Sequence, residues 1–159
     1  MIKFSNVQLG YGKRVVLNAL NFEIQKGDFF GIVGPNGAGK TTLLKAILGL
    51  LKPVKGEINF LKNGKGHKKS IGYVPQHASV DEIFPVTTLE MVLMGRYAKM
   101  GIFKRPKNRD YKIANKMLKN VGMKNLSKRN YRELSGGQKQ RTLIARAMVG
   151  EPDILILDE

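Results

Sequence analysis

Phe29-Phe30-Gly31-Ile32-Val33-Gly34-Pro35-Asn36-Gly37-Ala38-Gly39-Lys40-Thr41-Thr42-Leu43 is the stretch on which the fold of this chain turns. A short apolar run, a glycine-rich loop and the start of a helix follow one another. Phe29 to Val33 has the unbroken apolar character of a strand covered on both faces. Gly34 to Thr41 fits G-x-x-x-x-G-K-[ST], and a helix expected from about Gly39 to Leu50 sets that loop at a helix N-terminus. Glycines let backbone N–H groups converge on phosphate oxygens without a Cβ in the way, and the helix dipole adds positive potential. Gly34, Pro35, Asn36, Gly37, Ala38 and Gly39 would cradle the phosphates of a nucleoside triphosphate. Lys40 would reach the β- and γ-phosphates, and Thr41 would offer its hydroxyl to Mg²⁺, with Thr42 in the same binding set.

Outward from this loop the pattern stays readable. Ile2 to Leu9 and Val15 to Ile24 read as strands joined at Tyr11-Gly12, and Lys26-Gly27-Asp28 as a second turn. Lys52-Pro53-Val54-Lys55-Gly56 ends the helix. Glu57 to Leu61 and Ile71 to Val74 are further strands, separated by a flexible turn at Asn63-Gly64-Lys65-Gly66. From Pro75 to Glu133 the chain becomes helical and basic. Thr87-Thr88-Leu89-Glu90 matches a capping box. Asn108 to Val121 sets Ile113, Met117, Leu118 and Val121 at helical spacing with lysines opposite, and Gly122 suits its C-terminal cap. Ser135 to Gln138 fits a second capping box, opening a helix through Met148 that Gly150 and Pro152 close. Ile154 to Leu157 reads as another buried strand. The expected organisation is one α/β domain. Its core lies at about 1–75 and 134–159, with a helical subdomain at about 76–133.

The 159 residues are enough for one domain with a core of its own. Cysteine is absent, which excludes disulfides and thiolate metal sites and suits a reducing compartment. The N-terminus alternates apolar and polar residues rather than forming a signal peptide, and no stretch approaches the ~20 apolar residues of a membrane span. A soluble, cytoplasmic protein is expected. The net charge of +16 concentrates between Lys99 and Arg132, away from the phosphate loop. A solvated lysine-rich surface is the first reading of it; nucleic acid, anionic lipid or an acidic partner would also account for it.

Two further motifs carry chemistry. Asp158 ends an apolar strand, where such an aspartate in a P-loop enzyme holds Mg²⁺; Glu159 beside it is the candidate general base that polarises the attacking water. Leu134-Ser135-Gly136-Gly137-Gln138 begins a helix. Two glycines in a first turn weaken it by roughly 1 kcal/mol each relative to alanine. That loss makes sense if an anion must approach bare backbone, with a γ-phosphate accepting from the Ser135 hydroxyl and the exposed N–H groups.

The phosphate loop, Leu134–Gln138 and Ile154–Glu159, in that order, resemble the nucleotide-binding subunit of an ABC transporter, and the match covers the whole chain. The resemblance implies a P-loop ATPase core with an N-terminal antiparallel β subdomain and a helical insert. It also implies a head-to-tail dimer with two ATP molecules at the interface, each held by the P-loop of one subunit and Leu134–Gln138 of the other. Tyr11 matches the aromatic residue that stacks on adenine. Gln76 matches the glutamine that contacts Mg²⁺ and links the site to the membrane subunits, which the helical insert would dock. ATP and Mg²⁺ are thus the expected cofactors. Permease subunits, a second copy and, indirectly, a substrate-binding protein are the expected partners at the cytoplasmic face of the membrane.

Asp81 to Thr87, Val92 to Tyr97 and Phe103 to Pro106 look like the ATPases of manganese and zinc uptake systems, and iron-chelate importers share part of this pattern. His67 and His77 read as surface histidines rather than ligands. The family continues past the glutamate with a proline, an aspartate loop and a strand ending in histidine, and those C-terminal strands are missing here. A chain of this extent is expected to be marginal in stability and nearly inactive in hydrolysis. Two other readings stay open: a soluble ABC ATPase acting on nucleic acid or the ribosome, and a non-functional fragment of a transport ATPase.

Overall fold

A computed structural model describes residues 2–60, 70–76, 85–101 and 104–158. The chain divides into two compact units, Met1–Lys69 and Ser70–Glu159.

The first unit is built on an antiparallel sheet of β1 (Ile2–Tyr11), β2 (Arg14–Ile24) and β3 (Lys55–Phe60), in the order β2-β1-β3. The buried apolar side chains of β1 are Ile2, Phe4, Val7 and Leu9, so the alternation slips by one between Phe4 and Val7. A bulge absorbs the slip. The pairing shifts register between these residues, and Asn6 takes a φ of 49°. The Asn6 N–H donates to Asn21 Oδ1 at 2.7 Å, fixing the irregular stretch to β2. The extra residue keeps all four apolar side chains on the core face. Helix α1 (Lys40–Ile47) packs Leu43, Leu44, Ala46 and Ile47 inward. It is shorter than the span to Leu50 expected from the sequence, because Leu48 to Leu50 form its closing turn.

The predicted strand Phe29–Val33 does not form. These residues are irregular, with Phe29 99% and Val33 97% exposed; Ile32 is partly buried, and the Phe30 ring stacks on Phe22 at 5.3 Å. A strand exists through its ladder partners, and among the described residues none pairs with this run. The turn predicted at Asn63–Gly66, and the Leu61 end of β3, lie outside the described residues.

The second unit holds β4 (Ile71–Val74) parallel to β5 (Ile154–Leu157). The connection between them carries α2 (Thr88–Leu93), α3 (Tyr97–Met100), α4 (Asn108–Asn120) and α5 (Gly136–Met148). Both capping boxes form. Thr87 N–H donates to Glu90 Oε2 at 2.7 Å and Glu90 N–H to Thr87 Oγ1 at 3.2 Å; Ser135 N–H donates to Gln138 Oε1 at 3.0 Å. The core joins Val74 to Met91, Val92, Leu118, Met123 and Val149. Gly95 lies where the turn after α2 crosses the end of α5, and a Cβ there would overlap the Arg146 carbonyl. The predicted burial of β5 holds on one face only: Ile156 is buried, while Leu155 and Leu157 are 40% and 46% exposed.

Charge is also used inside this unit. The Arg96 guanidinium lies 3.0 Å from Asp110 Oδ1 and donates to the Val149 carbonyl at 3.3 Å, with both side chains nearly covered. The Asp110 carboxyl is held below its usual range, chiefly by the Lys107 N–H at 3.0 Å and further by Arg96; burial pushes the other way. On α4, Arg109, Lys112, Lys116 and Lys119 are exposed, so part of the basic excess sits on one helix face. No helix among the described residues is long and apolar enough to cross a membrane.

Candidate nucleotide-binding site

In the first unit, the glycine-rich loop leads straight into α1. The Ala38 N–H donates to the Pro35 carbonyl at 3.2 Å, closing a turn around Asn36 and Gly37. Gly39 caps the helix with a φ of 94°, a left-handed conformation. A Cβ there would also press on Leu17 and Val16 of β2. No side chain caps the helix, and its first backbone bond is from Leu43 N–H to the Gly39 carbonyl at 2.9 Å. The N–H groups of Lys40, Thr41 and Thr42 therefore lack intrahelical acceptors, as in any first turn, and an anion can receive them. Lys40 Nζ donates to the Gly34 and Pro35 carbonyls at 2.7 and 2.9 Å, which holds the ammonium over the loop. Thr41 is exposed and Thr42 is buried, so the hydroxyl open to solvent belongs to Thr41.

Tyr11 ends β1 with its ring half exposed, and Lys45 Nζ of α1 lies 5.8 Å from the ring centroid. An aromatic face beside a cation next to the phosphate loop has the chemistry to receive a nucleobase.

In the second unit, Leu134 is buried and anchors the start of α5, while Ser135, Gly136 and Gly137 are exposed. A Cβ placed on Gly136 or Gly137 would meet no atom within 4 Å. Nothing in the packing of the described residues requires glycine at either position. Gln76 is exposed in the bend that follows β4 and Pro75.

Asp158 follows β5. Its N–H donates to the Val74 carbonyl at 3.0 Å, extending the parallel ladder by one residue, and its Oδ2 accepts the Tyr73 hydroxyl at 3.0 Å. Burial raises the Tyr73 phenol above its ordinary pKa, and the bond to Asp158 and that carboxylate's charge raise it further. The hydroxyl thus stays a donor at neutral pH. No sequence pattern marks Tyr73, since an aromatic residue in a strand reads as packing. Glu159, His67, His77, Asp81 to Phe84 and Phe103 lie outside the described residues.

Residues 17–159 match the family described as ABC transporter. The manganese transport system ATP-binding protein MntB of Bacillus subtilis (strain 168) is 45% identical over 159 residues, which cover 99% of this chain and 64% of that protein. The high-affinity zinc uptake system ATP-binding protein ZnuC of the same organism is 44% identical, covering all of this chain and 70% of its own length. The chain thus spans about two thirds of these relatives. Among solved structures, an inward-facing transporter described as of the metal-chelate ABC type superposes with a TM-score of 0.87 at 38% identity. That match covers 99% of this chain and 59% of the other. The ATP-binding cassette MJ0796, solved as a dimer with ADP and phosphate, gives 0.79 at 30% identity, over 100% of this chain and 74% of that one.

Proposed function

We propose that this chain, which belongs to the ABC transporter family, forms the ATP-binding part of a subunit that drives import of a divalent metal ion, manganese or zinc. The observation that carries the reading is the pair of exposed, unconstrained glycines in Leu134–Gln138, on a chain that also carries the complete phosphate loop. A protein that only bound a nucleotide in its own loop would have no use for them. Residues that leave backbone bare at a helix start suit a phosphate delivered by another molecule, here a second copy. The metal cargo is inferred from the manganese and zinc relatives.

In this reading the loop N–H groups and Lys40 hold the triphosphate and Tyr11 meets the adenine. Thr41, Gln76 and Asp158 offer a hydroxyl, an amide carbonyl and a carboxylate, a set of hard oxygen donors that suits Mg²⁺. When bound, that ion would offset charge on the phosphates. Glu159 would take the proton of the attacking water. The helical segment 76–133 would dock permease subunits at the cytoplasmic face of the membrane, a substrate-binding protein acting on their far side.

The test is manganese and zinc uptake by cells whose only copy carries Lys40→Ala. Uptake of one of the two should fall to background, together with ATP binding by the purified protein; undiminished uptake of both refutes the cargo assignment. The basic face of α4 favours a second reading, action on nucleic acid. A salt-sensitive shift of RNA or DNA, lost when Lys112 and Lys116 become glutamate, would support it.

A further inference from the structure

We infer that Tyr73 is a positioning residue for Asp158: its hydroxyl fixes the direction of that carboxylate. The inference rests on the proposed role of Asp158 in holding Mg²⁺.

Asp158 sits one residue beyond the last pair of the parallel ladder, Val74↔Leu157. A carboxylate there has a tethered backbone and a side chain free to turn about two torsions. The Val74 carbonyl supplies the tether, and the Tyr73 hydroxyl removes the remaining freedom by donating to Oδ2 at 3.0 Å. Among the described residues Oδ1 takes no hydrogen bond, so one oxygen is held and the other left to act. Tyr73 is itself well placed for the task. It lies inside β4, opposite Ile156, and its neighbours Gly72 and Val74 are buried. Its ring is thus carried by a paired strand rather than by a loop. A hydroxyl that donates to one carboxylate oxygen orients the other toward a cation, the arrangement by which outer residues tune metal ligands.

The placement has a second consequence. Three residues after Tyr73 comes Gln76, and Pro75 between them lacks an N–H. A displacement of the Gln76 segment that pulled on the end of β4 would act on Asp158 through two connections, the Val74 carbonyl and the Tyr73 hydroxyl. Tyr73 therefore joins the strand leading to Gln76 with the Asp158 carboxylate.

The test uses Tyr73→Phe, which removes one oxygen and keeps the ring, with Asp158→Asn as reference, both in the intact polypeptide. Mn²⁺ serves as the probe, its binding to the protein–ATP complex read by the electron paramagnetic resonance of the free ion. ATP affinity in EDTA is measured alongside. Tyr73→Phe should weaken Mn²⁺ binding about tenfold and leave ATP affinity in EDTA unchanged; Asp158→Asn should weaken Mn²⁺ at least as much. If Asp158→Asn weakens Mn²⁺ and Tyr73→Phe stays within about twofold of the parent, the positioning role is refuted while the role of Asp158 stands. If neither variant weakens it, the reading of Asp158 falls and the inference with it. Equal loss of ATP affinity in EDTA by Tyr73→Phe would show that the tyrosine supports the fold instead, which also overturns the proposal.

Discussion

Replacing Gly136 and Gly137 with alanine should make this protein more stable and less functional at once. Both residues open α5, neither has a positive φ, and an added Cβ meets nothing within 4 Å at either one. Alanine at such a site gains about 0.4–1 kcal/mol by reducing the freedom of the unfolded chain. The pair should therefore add roughly 1–2 kcal/mol, and at about 2–4 °C per kcal/mol for a chain of this size the melting temperature should rise by roughly 2–8 °C. The assay is a thermal melt followed by far-ultraviolet circular dichroism without nucleotide. The companion assay is sedimentation with Mg²⁺ and ATP in a Glu159→Gln background, which should accumulate dimers if Glu159 is the general base. Two methyl groups over the first N–H groups of α5 should abolish that ATP-dependent dimer. A lowered melting temperature would mean that the chain's own packing needs the glycines. An undiminished dimer would mean that no phosphate approaches them. Either result removes the main support for the shared-site reading.

Gly95→Ala should act in the opposite sense: its Cβ would overlap the Arg146 carbonyl at the crossing of α5, so the variant should lose about 1–3 kcal/mol, measured as a lowered denaturant midpoint. Acid should weaken the second unit through its paired carboxylates. The Glu90 carboxyl lies below its ordinary value because it accepts from the Thr87 hydroxyl and N–H; Asp110 is lowered by Lys107 and Arg96, and Glu151 by Lys99 at 2.9 Å. For each, the folded-state pKa is the lower one, so its contribution is fully present above the unfolded value. It is lost as pH falls from the ordinary carboxylate range through the folded pKa. Stability should thus be flat near neutrality and fall in that acid window, and Glu90→Gln should make the fall shallower. A fall of undiminished steepness in Glu90→Gln would remove Glu90 from this account.

What the sequence discloses here follows how local each decision is. The glycine loop, both capping boxes and the β1–β2 hairpin depend on residues a few positions apart, and all formed where the pattern placed them. Phe29–Val33 shows the limit. Its composition satisfies every local criterion for a buried strand, yet a ladder needs a partner, and a partner is a fact about another segment. Leu155 and Leu157 repeat the point on β5, where the strand forms because Ile71–Val74 pairs with one edge, while burial on both faces needs more than two strands supply. Charges mislead in the opposite direction. Asp110 sits in a basic, polar stretch that reads as solvated surface, and only the crossing of helical segments encloses it as a pair with Arg96. Tyr73 and Asp158, 85 residues apart, are the sharpest case. The aspartate is legible because an acidic residue that closes an apolar strand stands out in the sequence by itself. The tyrosine is illegible because its role exists only once β4 and β5 lie side by side in one register. A shift of that parallel register by one residue would move the phenol to the other face of the sheet and leave Asp158 without its donor. The pairing of these two short strands, rather than any motif, therefore decides how the carboxylate points.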